Sequence, residues 1–322
     1  MQTKYLLGGL ALAFAVSSSN AHAGAYPDRP IRLLVGYSPA GAADTIGRFV
    51  ADALSKELGQ SIIVENRPGA GSTLASAELA RAPADGYTLS LGTGTIYGMD
   101  QYLYKVSYTP SDLTPIMRLT ISPLLLAVNK NLGINSVDDL IAKVKANPDK
   151  LNYSSSGVGG SPHMAALIFQ DAIGGHMVHV PYKGGSPALQ AVAAGEVDLS
   201  FGTAPSVLPM AQADKVKVLA VSTLAASEAA PGVPPLAEQG LPGFDFTFWF
   251  GLFGPAGLPA DVQAKLAKAT QTVLNDPSLK EKLLVTGNIA APMESSQAFE
   301  NWAKQNGDFV LQRAKKAKVK ME

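Results

Sequence analysis

Hydrophobic positions along the chain predict strands that alternate with helices. The segment IRLLVGY, residues 31–37, is short and apolar and lies between Pro30 and the turn residues SPAG, so it predicts a buried strand. Apolar residues then recur at helical spacing, at Ile46, Phe49, Val50, Ala53, Leu54 and Leu58, before Gly59. The segments SIIVENRPGAGS and GYTLSLGTG repeat the pattern, with a helix predicted from about residue 73 to 80. This alternation predicts an α/β fold with parallel strands and crossover helices.

A second set of the same units follows in the middle of the chain. Strands are predicted at PLLLAVN (residues 123–129), LNYSSSG, MVHVPY, VDLSFGT and VKVLAVS. Helices are predicted at SVDDLIAKVKAN, MAALIFQDAIG and PALQAVAAGE, the first with Ser136 as N-cap and Asp139 three residues later. After FTFWFGLFGPAGLP, two final helices are predicted near Pro259 and Ser295. No low-complexity linker separates the two sets, so we expect short strands to cross any domain boundary.

The first 23 residues have the three-part layout of a secretory signal peptide. A lysine precedes an apolar run at residues 5–16, and Ala21, His22 and Ala23 form an A-x-A cleavage site before Gly24. The run is too short for a membrane span, which needs about 20 residues. The alternatives are an uncleaved anchor or a buried helix. The layout predicts that the mature chain is exported and soluble.

Composition excludes several functional classes. Lys and Arg together number 26, as do Asp and Glu, so the chain lacks the basic character of a nucleic-acid binder. The lysines of RAKKAKVKME are typical of a solvated helix end. The chain has no cysteine, which excludes disulfides, thiolate metal sites and cysteine nucleophiles. We expect no cofactor and no metal.

Motifs for nucleotide binding and catalysis are weak or missing. The segment GTGTIYG resembles a dinucleotide fingerprint, but it lies in the third strand–helix unit and precedes the turn-like segment MDQYLYKVSYTP. The chain has no G-x-S-x-G elbow, and its histidines lack metal-ligand spacing. His176 and His179 lie in or beside a strand, which favours a structural role. His163 follows Ser161 and Pro162 in the first turn of a helix, where it can face a ligand.

Three strand–helix junctions share one chemistry. The segments SPAGAADT, GTGT and SSGVGGSPH place glycines and small hydroxyl residues where a strand ends. Ligands of open α/β sheets bind in the crevice at these ends, and the free N–H groups of a helix's first turn favour an anion. Ser156 and Ser161 add hydroxyl donors. Each loop alone is also compatible with ordinary turn chemistry, but three together predict a carboxylate site.

Long segments of the chain resemble the Bug/TctC family of periplasmic solute-binding proteins, which serve tripartite tricarboxylate transporters. The resemblance lies in residues 26–89, from YPDRPIRLLVGYSPAGAADT to ADGYTL, and in LNYSSSGVGGSPHMAA, HVPYKGGSPALQAVAAGEVDL and WFGLFGPAGLPADV. It implies a two-lobed Venus-flytrap fold with strands crossing between lobes. Residues 24–124 and 248–322 would form lobe 1, and residues 125–247 lobe 2. It further implies a monomeric, non-enzymatic receptor that holds a small carboxylate between the lobes and delivers it to membrane permease subunits.

The resemblance also implies ligand-binding positions. They are Ser38, Ala40, Gly41, Asp44, Thr93, Thr95, Ser156, Gly157, Gly160, Ser161, His163 and Thr203. Asp44 has a second interpretation, in which it caps its helix or orients a water. Gly202 and Thr203 stand where the family commonly has a polar Asp-Asn-like pair, so a less polar cleft floor is expected.

Aromatic residues near the predicted cleft suggest the kind of carboxylate. Tyr37, Tyr97 and Trp249 would suit an aromatic or longer apolar carboxylate rather than a compact amino acid, unless they only pack in the wall. The expected ligand is therefore a dicarboxylate or an aromatic carboxylate. The alternative function is a secreted α/β hydrolase with His163 as a base beside Ser161. It lacks a visible carboxylate to orient the histidine and a nucleophile elbow.

Overall fold

Ten strands form one mixed sheet with helices packed against it in the computed structural model, which describes residues 26–39 and 41–320. In chain order the elements are β1 (Ile31–Val35), α1 (Ala42–Leu58), β2 (Ile62–Asn66), α2 (Thr73–Ala80), β3 (Thr88–Thr93), α3 (Met99–Leu103), β4 (Leu113–Asn129), α4 (Val137–Ala146), β5 (Asn152–Ser155), α5 (Ser161–Ile173), β6 (Val178–Pro181), α6 (Gly185–Ala194), β7 (Leu199–Thr203), α7 (Ala204–Gln212), β8 (Val216–Val221), β9 (Thr247–Pro255), α8 (Ala260–Asn275), α9 (Pro277–Val285), β10 (Ile289–Ala290) and α10 (Ser296–Lys316). The predicted signal peptide lies outside the described residues.

The sheet has two halves that share one long strand. Its order is β2-β1-β3-β9-β4-β7-β5-β6, with β8 and β10 also paired to β4. Residues 113–123 of β4 pair with β9, whereas residues 124–129 pair with β7 and β8. We call β1, β2, β3, β9, β10 and the start of β4 the first half-sheet. The end of β4 with β5, β6, β7 and β8 is the second half-sheet.

Much of the predicted element order is confirmed. The first predicted strand is β1, and the helix predicted from about residue 73 to 80 is α2. Ser136 caps α4 as expected: its Oγ accepts a hydrogen bond from the Asp139 N–H at 3.1 Å, and the Asp139 carboxylate accepts from the Ser136 N–H. The local capping chemistry is therefore readable from residue types alone.

The prediction of parallel strands is correct only at the outer parts of the sheet. β1 is parallel to β2 and β3, and β5 is parallel to β6 and β7. The centre is antiparallel, because β4 runs against β9, β7 and β8. The sequence predicted only the last seven residues of β4, since Pro115 and Pro123 interrupt its apolar pattern and proline is unfavourable inside a sheet.

Three helices of the described chain were not predicted. α3 has five residues, too few for a helical period. α7 contains Pro205 and Pro209. α9 directly follows α8, whereas the sequence predicted only helices beginning near Pro259 and near Ser295 in this region. Asp276 separates α8 from α9, because its Oδ1 accepts hydrogen bonds from the N–H groups of Ser278 and Leu279. Short or proline-containing helices carry little periodic signal.

Each half-sheet has its own apolar core. Ile31, Leu33 and Leu89 are fully buried in the first, and Leu126 and Phe169 in the second. Helix α10 packs against both half-sheets. Its Phe299 and Ala303 lie in a separate apolar cluster of the first half-sheet, and its Ala314 lies in the core of the second. Among residues 26–39 and 41–320, no helix combines the length and apolar character needed to cross a membrane.

Candidate functional site

A cavity of about 770 Å³ lies where loops of the two half-sheets meet. Loops that follow β1, β3, β5 and β7 all border it, so the carboxyl ends of these strands face a common space. The predicted site residues that line it are Gly41, Thr95, Ser156, Gly157, Gly160, Ser161 and Thr203. The structure thus brings together residues that are more than 160 positions apart in sequence.

Four helices begin at this cavity without a side-chain cap. They are α1, α5, α6 and α7, whose N-cap residues are Gly41, Gly160, Gly184 and Thr203. Three other helices of the described chain do have side-chain caps: α4 is capped by Ser136, α9 by Asp276 and α10 by Ser295. Unpaired first-turn N–H groups carry the positive end of the helix dipole. The cavity therefore has several backbone donors that no side chain occupies.

The loop before α5 approaches the opposite wall closely. Gly159 has a φ of +75°, and a Cβ there would lie 2.4 Å from the Leu103 Cδ1 of α3. Gly157 has a φ of +134°, again in the region that favours glycine. Pro162 occupies the second helical position, where its missing N–H costs no hydrogen bond. Glycine thus permits both the shape of this loop and its contact with α3.

His163 lies beneath the loop and is not among the residues that line the cavity. Its side chain is 5% exposed, and its Nδ1 accepts a hydrogen bond from the Gly159 N–H at 2.9 Å. Its ring stacks on His179 with centroids 3.9 Å apart, and His179 Nε2 bonds the Ser155 hydroxyl at 2.7 Å. Burial, with a smaller contribution from His179, lowers the pKa of His163 to about 3, and burial lowers the pKa of His179 to about 4. Both rings are therefore neutral, and their hydrogen bonds with Gly159 and Ser155 fix the loop before α5.

This arrangement differs from the one a hydrolase would need. The Nδ1 of His163 is occupied by a backbone N–H, and the hydrogen bonds of the described chain include none between His163 and Ser161. A base must lie within hydrogen-bond reach of the proton it removes.

The first loop contributes less than predicted. Gly41 lines the cavity, Ser38 is exposed outside it, and Ala40 lies outside the described residues. Asp44 is buried away from the cavity, where its carboxylate accepts hydrogen bonds from Arg48 at 3.0 Å and from Asn66 at 2.9 Å. Both contacts are to side chains, so the alternative prediction, in which Asp44 caps its helix or orients a water, stays a prediction. Arg48 is the partner of Asp44 and does not line the cavity.

Thr93 and Thr95 have different positions. Thr93 is buried, and its Oγ1 lies 2.9 Å from the Oγ1 of Thr95, which lines the cavity. At the other side, the Thr203 Oγ1 lies 3.1 Å from the Ser206 Oγ.

Of the three aromatic residues predicted near the cleft, only Tyr37 lines the cavity. Tyr97 and Trp249 are buried in an aromatic cluster with Phe253 and Phe299. Their alternative interpretation, packing within the wall, is therefore the correct one.

Two groups of lining residues were missed. Gly185 and Ser186 begin α6 at the cavity. The sequence contains a pattern that could have predicted them: GGSP occurs at residues 159–162 and again at 184–187, each time at the start of a helix. Asp100 belongs to α3 and Tyr104 directly follows it, in a short segment that was interpreted as a turn. Burial raises the pKa of Asp100, while hydrogen bonds from the Tyr108 and Thr95 hydroxyls lower it.

The chain matches the family described as the tripartite tricarboxylate transporter family receptor, TctC, over residues 46–313. It is 30% identical to the protein BugT of Bordetella pertussis over 308 residues, which cover 92% of this chain and 94% of BugT. The solved structure of R. palustris Rpa4515 with adipate is 31% identical and superimposes with a TM-score of 0.78, covering 92% of this chain and 100% of that one. MatC from Rhodopseudomonas palustris, with bound malate, is 29% identical with a TM-score of 0.73, covering 89% of this chain and 99% of that one.

These similarities confirm the two-lobed α/β fold of periplasmic binding proteins, in which strands cross between lobes. The family consists of solute-binding receptors rather than enzymes, and its members are periplasmic binding proteins. The chain belongs to the TctC family of tripartite tricarboxylate transporter receptors.

Proposed function

We propose that this receptor captures a small carboxylate in the cavity between its half-sheets and delivers it to the membrane permease of a tripartite tricarboxylate transporter. The observation that carries the proposal is the meeting of four uncapped helix N-termini at one cavity. Backbone N–H groups at a helix start stabilise an anion both by hydrogen bonding and through the dipole. Carboxylates bound to the similar proteins Rpa4515 and MatC support the same class of ligand.

The charge of the cavity supports a site built from neutral donors. Its lining residues within the described chain include no Lys, Arg or His. Lys183, which directly precedes the glycines at the start of α6, is exposed and does not line the cavity. Backbone donors avoid the desolvation cost of burying a cation and allow the ligand to leave, as a carrier requires.

The lobe bounds and the location form part of the same proposal. Residues 24–124 with 248–322 would move as one lobe and residues 125–247 as the other, in a monomer. β4 pairs with both half-sheets, and residues 123 and 124 stand where its partners change, which supports a boundary there. Cleavage after Ala23 would release the mature protein into the periplasm. Mass spectrometry of protein purified from the periplasm would then give a first residue of Gly24.

A thermal-shift screen over aliphatic and aromatic carboxylates tests the ligand class. A ligand present at about 100 times its Kd adds about 2.7 kcal/mol to the free energy of unfolding, so a true ligand should raise the Tm clearly. Prolonged incubation followed by mass spectrometry should return the ligand unchanged, as expected of a receptor. Stabilisation by neutral or cationic solutes alone would contradict the proposal.

A further inference from the structure

The cavity contains a buried carboxyl group that the capture of a carboxylate does not explain. Asp100, the second residue of α3, is 2% exposed and is the one acid among the described residues that line the cavity. None of the ion pairs formed within residues 26–39 and 41–320 involves it. A space that should attract anions therefore also holds an acid without a cationic partner.

Hydroxyl groups surround Asp100 without using all of its hydrogen-bonding capacity. The Tyr108 hydroxyl donates to Oδ2 at 2.6 Å, and the Thr95 hydroxyl makes a second hydrogen bond. Thr95 is bonded in turn to Thr93, whose hydroxyl contacts Tyr37. An ionised carboxylate accepts about four hydrogen bonds, so Asp100 can still accept donors from a ligand.

The titratable groups that face Asp100 do not neutralise it. They are Tyr37, Tyr104 and Tyr108, and burial raises the pKa of each, that of Tyr37 to about 12. All three keep their protons near neutral pH and add no positive charge. A second acidic group of a ligand placed here would meet a like charge, which costs binding free energy. A hydroxyl or ammonium group would instead form a charge-assisted hydrogen bond with the carboxylate.

Helices α3 and α5 border the same cavity. The loop before α5 meets α3 at Gly159, which approaches Leu103 and Met99. Asp100 lies between these two α3 residues in sequence, and Ser161 begins α5. One ligand can therefore contact the α5 N-terminus through its carboxylate and Asp100 through another group.

We propose that Asp100 sets the ligand class: a carboxylate that also carries a hydroxyl or ammonium donor for Asp100, in preference to one with a second acidic group there. This inference rests on the proposed function, because the helix N-termini supply the other anchor. In this role Asp100 is a specificity-determining residue: it distinguishes carboxylates that carry a hydroxyl or ammonium group from those that carry a second acidic group.

Ligands that differ only at the end remote from the carboxylate test the inference. The first series is hexanoate, its ω-hydroxy and ω-amino derivatives, and adipate. The second is the equivalent four-carbon series ending in succinate. The third is benzoate with a para methyl, hydroxymethyl, aminomethyl or carboxylate group. Calorimetry near pH 7 should show the hydroxyl or ammonium member binding about 10-fold or more tighter than the methyl and dicarboxylate members of its series.

Asp100→Asn is the matched variant. Its side-chain oxygen can still accept the Tyr108 hydroxyl, but the negative charge is lost, so the dicarboxylate should gain about 10-fold relative to the ammonium member. Asp52→Asn makes the same chemical change on the exposed face of α1 and should leave every ratio unaltered. Ser161→Ala should weaken all members to a similar extent. Circular dichroism shows whether each variant is folded. If Asp100→Asn fails to fold, the relative affinities of the wild-type protein for the members of each series test the role of Asp100 on their own.

The outcomes separate the two proposals. If carboxylates bind but the dicarboxylate is preferred in wild type and Asp100→Asn leaves the ratios unchanged, the role of Asp100 is wrong and the receptor function stands. If no carboxylate in any series binds, the proposed function itself is wrong.

Discussion

At the scale of single residues, the groups proposed to bind the carboxylate are neutral, since the described residues that line the cavity include no Lys, Arg or His. Ser161 is the first residue of α5 and lines the cavity, and no side chain caps the N-terminus of this helix. His163 was predicted to face the ligand, but its ring holds the Gly159 N–H. The sequence shows which residue types stand at a helix start, but the rotamer that turns a side chain toward the cavity or away from it depends on packing with distant residues such as His179.

Ser161→Ala should weaken carboxylate binding without unfolding the protein. A neutral hydrogen bond contributes about 0.5–1.5 kcal/mol and one to a charged acceptor about 1.5–3 kcal/mol, so the Kd should rise about 10-fold or more for a bound carboxylate. Calorimetry with a carboxylate found in the screen measures the change. Ser61→Ala, on an exposed turn before β2, is the control. Equal affinity in wild type and Ser161→Ala would show that this hydroxyl does not contact the ligand.

The histidine pair should make the protein sensitive to acid. Their pKa values of about 3 and about 4 in the folded chain lie below the unfolded value of 6.5, so the unfolded state binds more protons over this interval. The free energy of unfolding is unaffected above about pH 6.5 and falls below it, by up to about 1.4 kcal/mol per pH unit for each histidine, until the folded pKa values are reached.

Urea unfolding at about pH 7 and about pH 5 measures this dependence. His163→Gln removes one titrating group and should give a smaller loss between the two pH values. Ser61→Ala changes an exposed residue that does not titrate and should retain the wild-type loss. An unchanged loss in His163→Gln would contradict the neutral, buried state of this ring.

At the scale of elements, the sequence predicts what is local and periodic. Short apolar strands such as β1 and capped helices such as α4 follow from residue type and spacing. The antiparallel centre does not, because the pairing of β4 with β9 joins residues more than 120 positions apart and is decided by tertiary packing. For the same reason the sequence did not predict that Asp100 lines the cavity: its position depends on a five-residue helix with no periodic signal.

Helix α10 depends on a glycine at its contact with the loop after β3. A Cβ at Gly307 would lie 2.3 Å from the Tyr97 Cβ and 2.5 Å from its carbonyl oxygen, so the neighbouring backbone would have to move. Gly307→Ala should gain up to about 1 kcal/mol of helix propensity yet lose about 1–3 kcal/mol to overpacking. Urea unfolding should therefore give a net destabilisation, whereas Gln305→Ala, exposed on the same helix, should change little. A more stable Gly307→Ala would show that α10 does not pack so closely.

At the scale of the whole molecule, two half-sheets share one cavity and are joined by β4 and α10. Engulfing a solute requires the halves to approach, so we expect the ligand to shift the protein toward a closed state. Small-angle scattering should show a smaller radius of gyration at saturation with a carboxylate ligand. Gly160→Val, whose side chain would crowd Ser156 and Gly157, should bind poorly and keep its radius unchanged. An identical wild-type profile with and without bound ligand would contradict closure.

The central claim is that backbone and hydroxyl donors at four helix N-termini recognise a negative charge. The most direct test is calorimetry of a carboxylate ligand against its own primary amide, which has nearly the same shape but no charge. The amide should bind about 10-fold or more weaker, because a charged acceptor strengthens each hydrogen bond by about 1 kcal/mol or more. Equal affinity for the acid and its amide would contradict this claim.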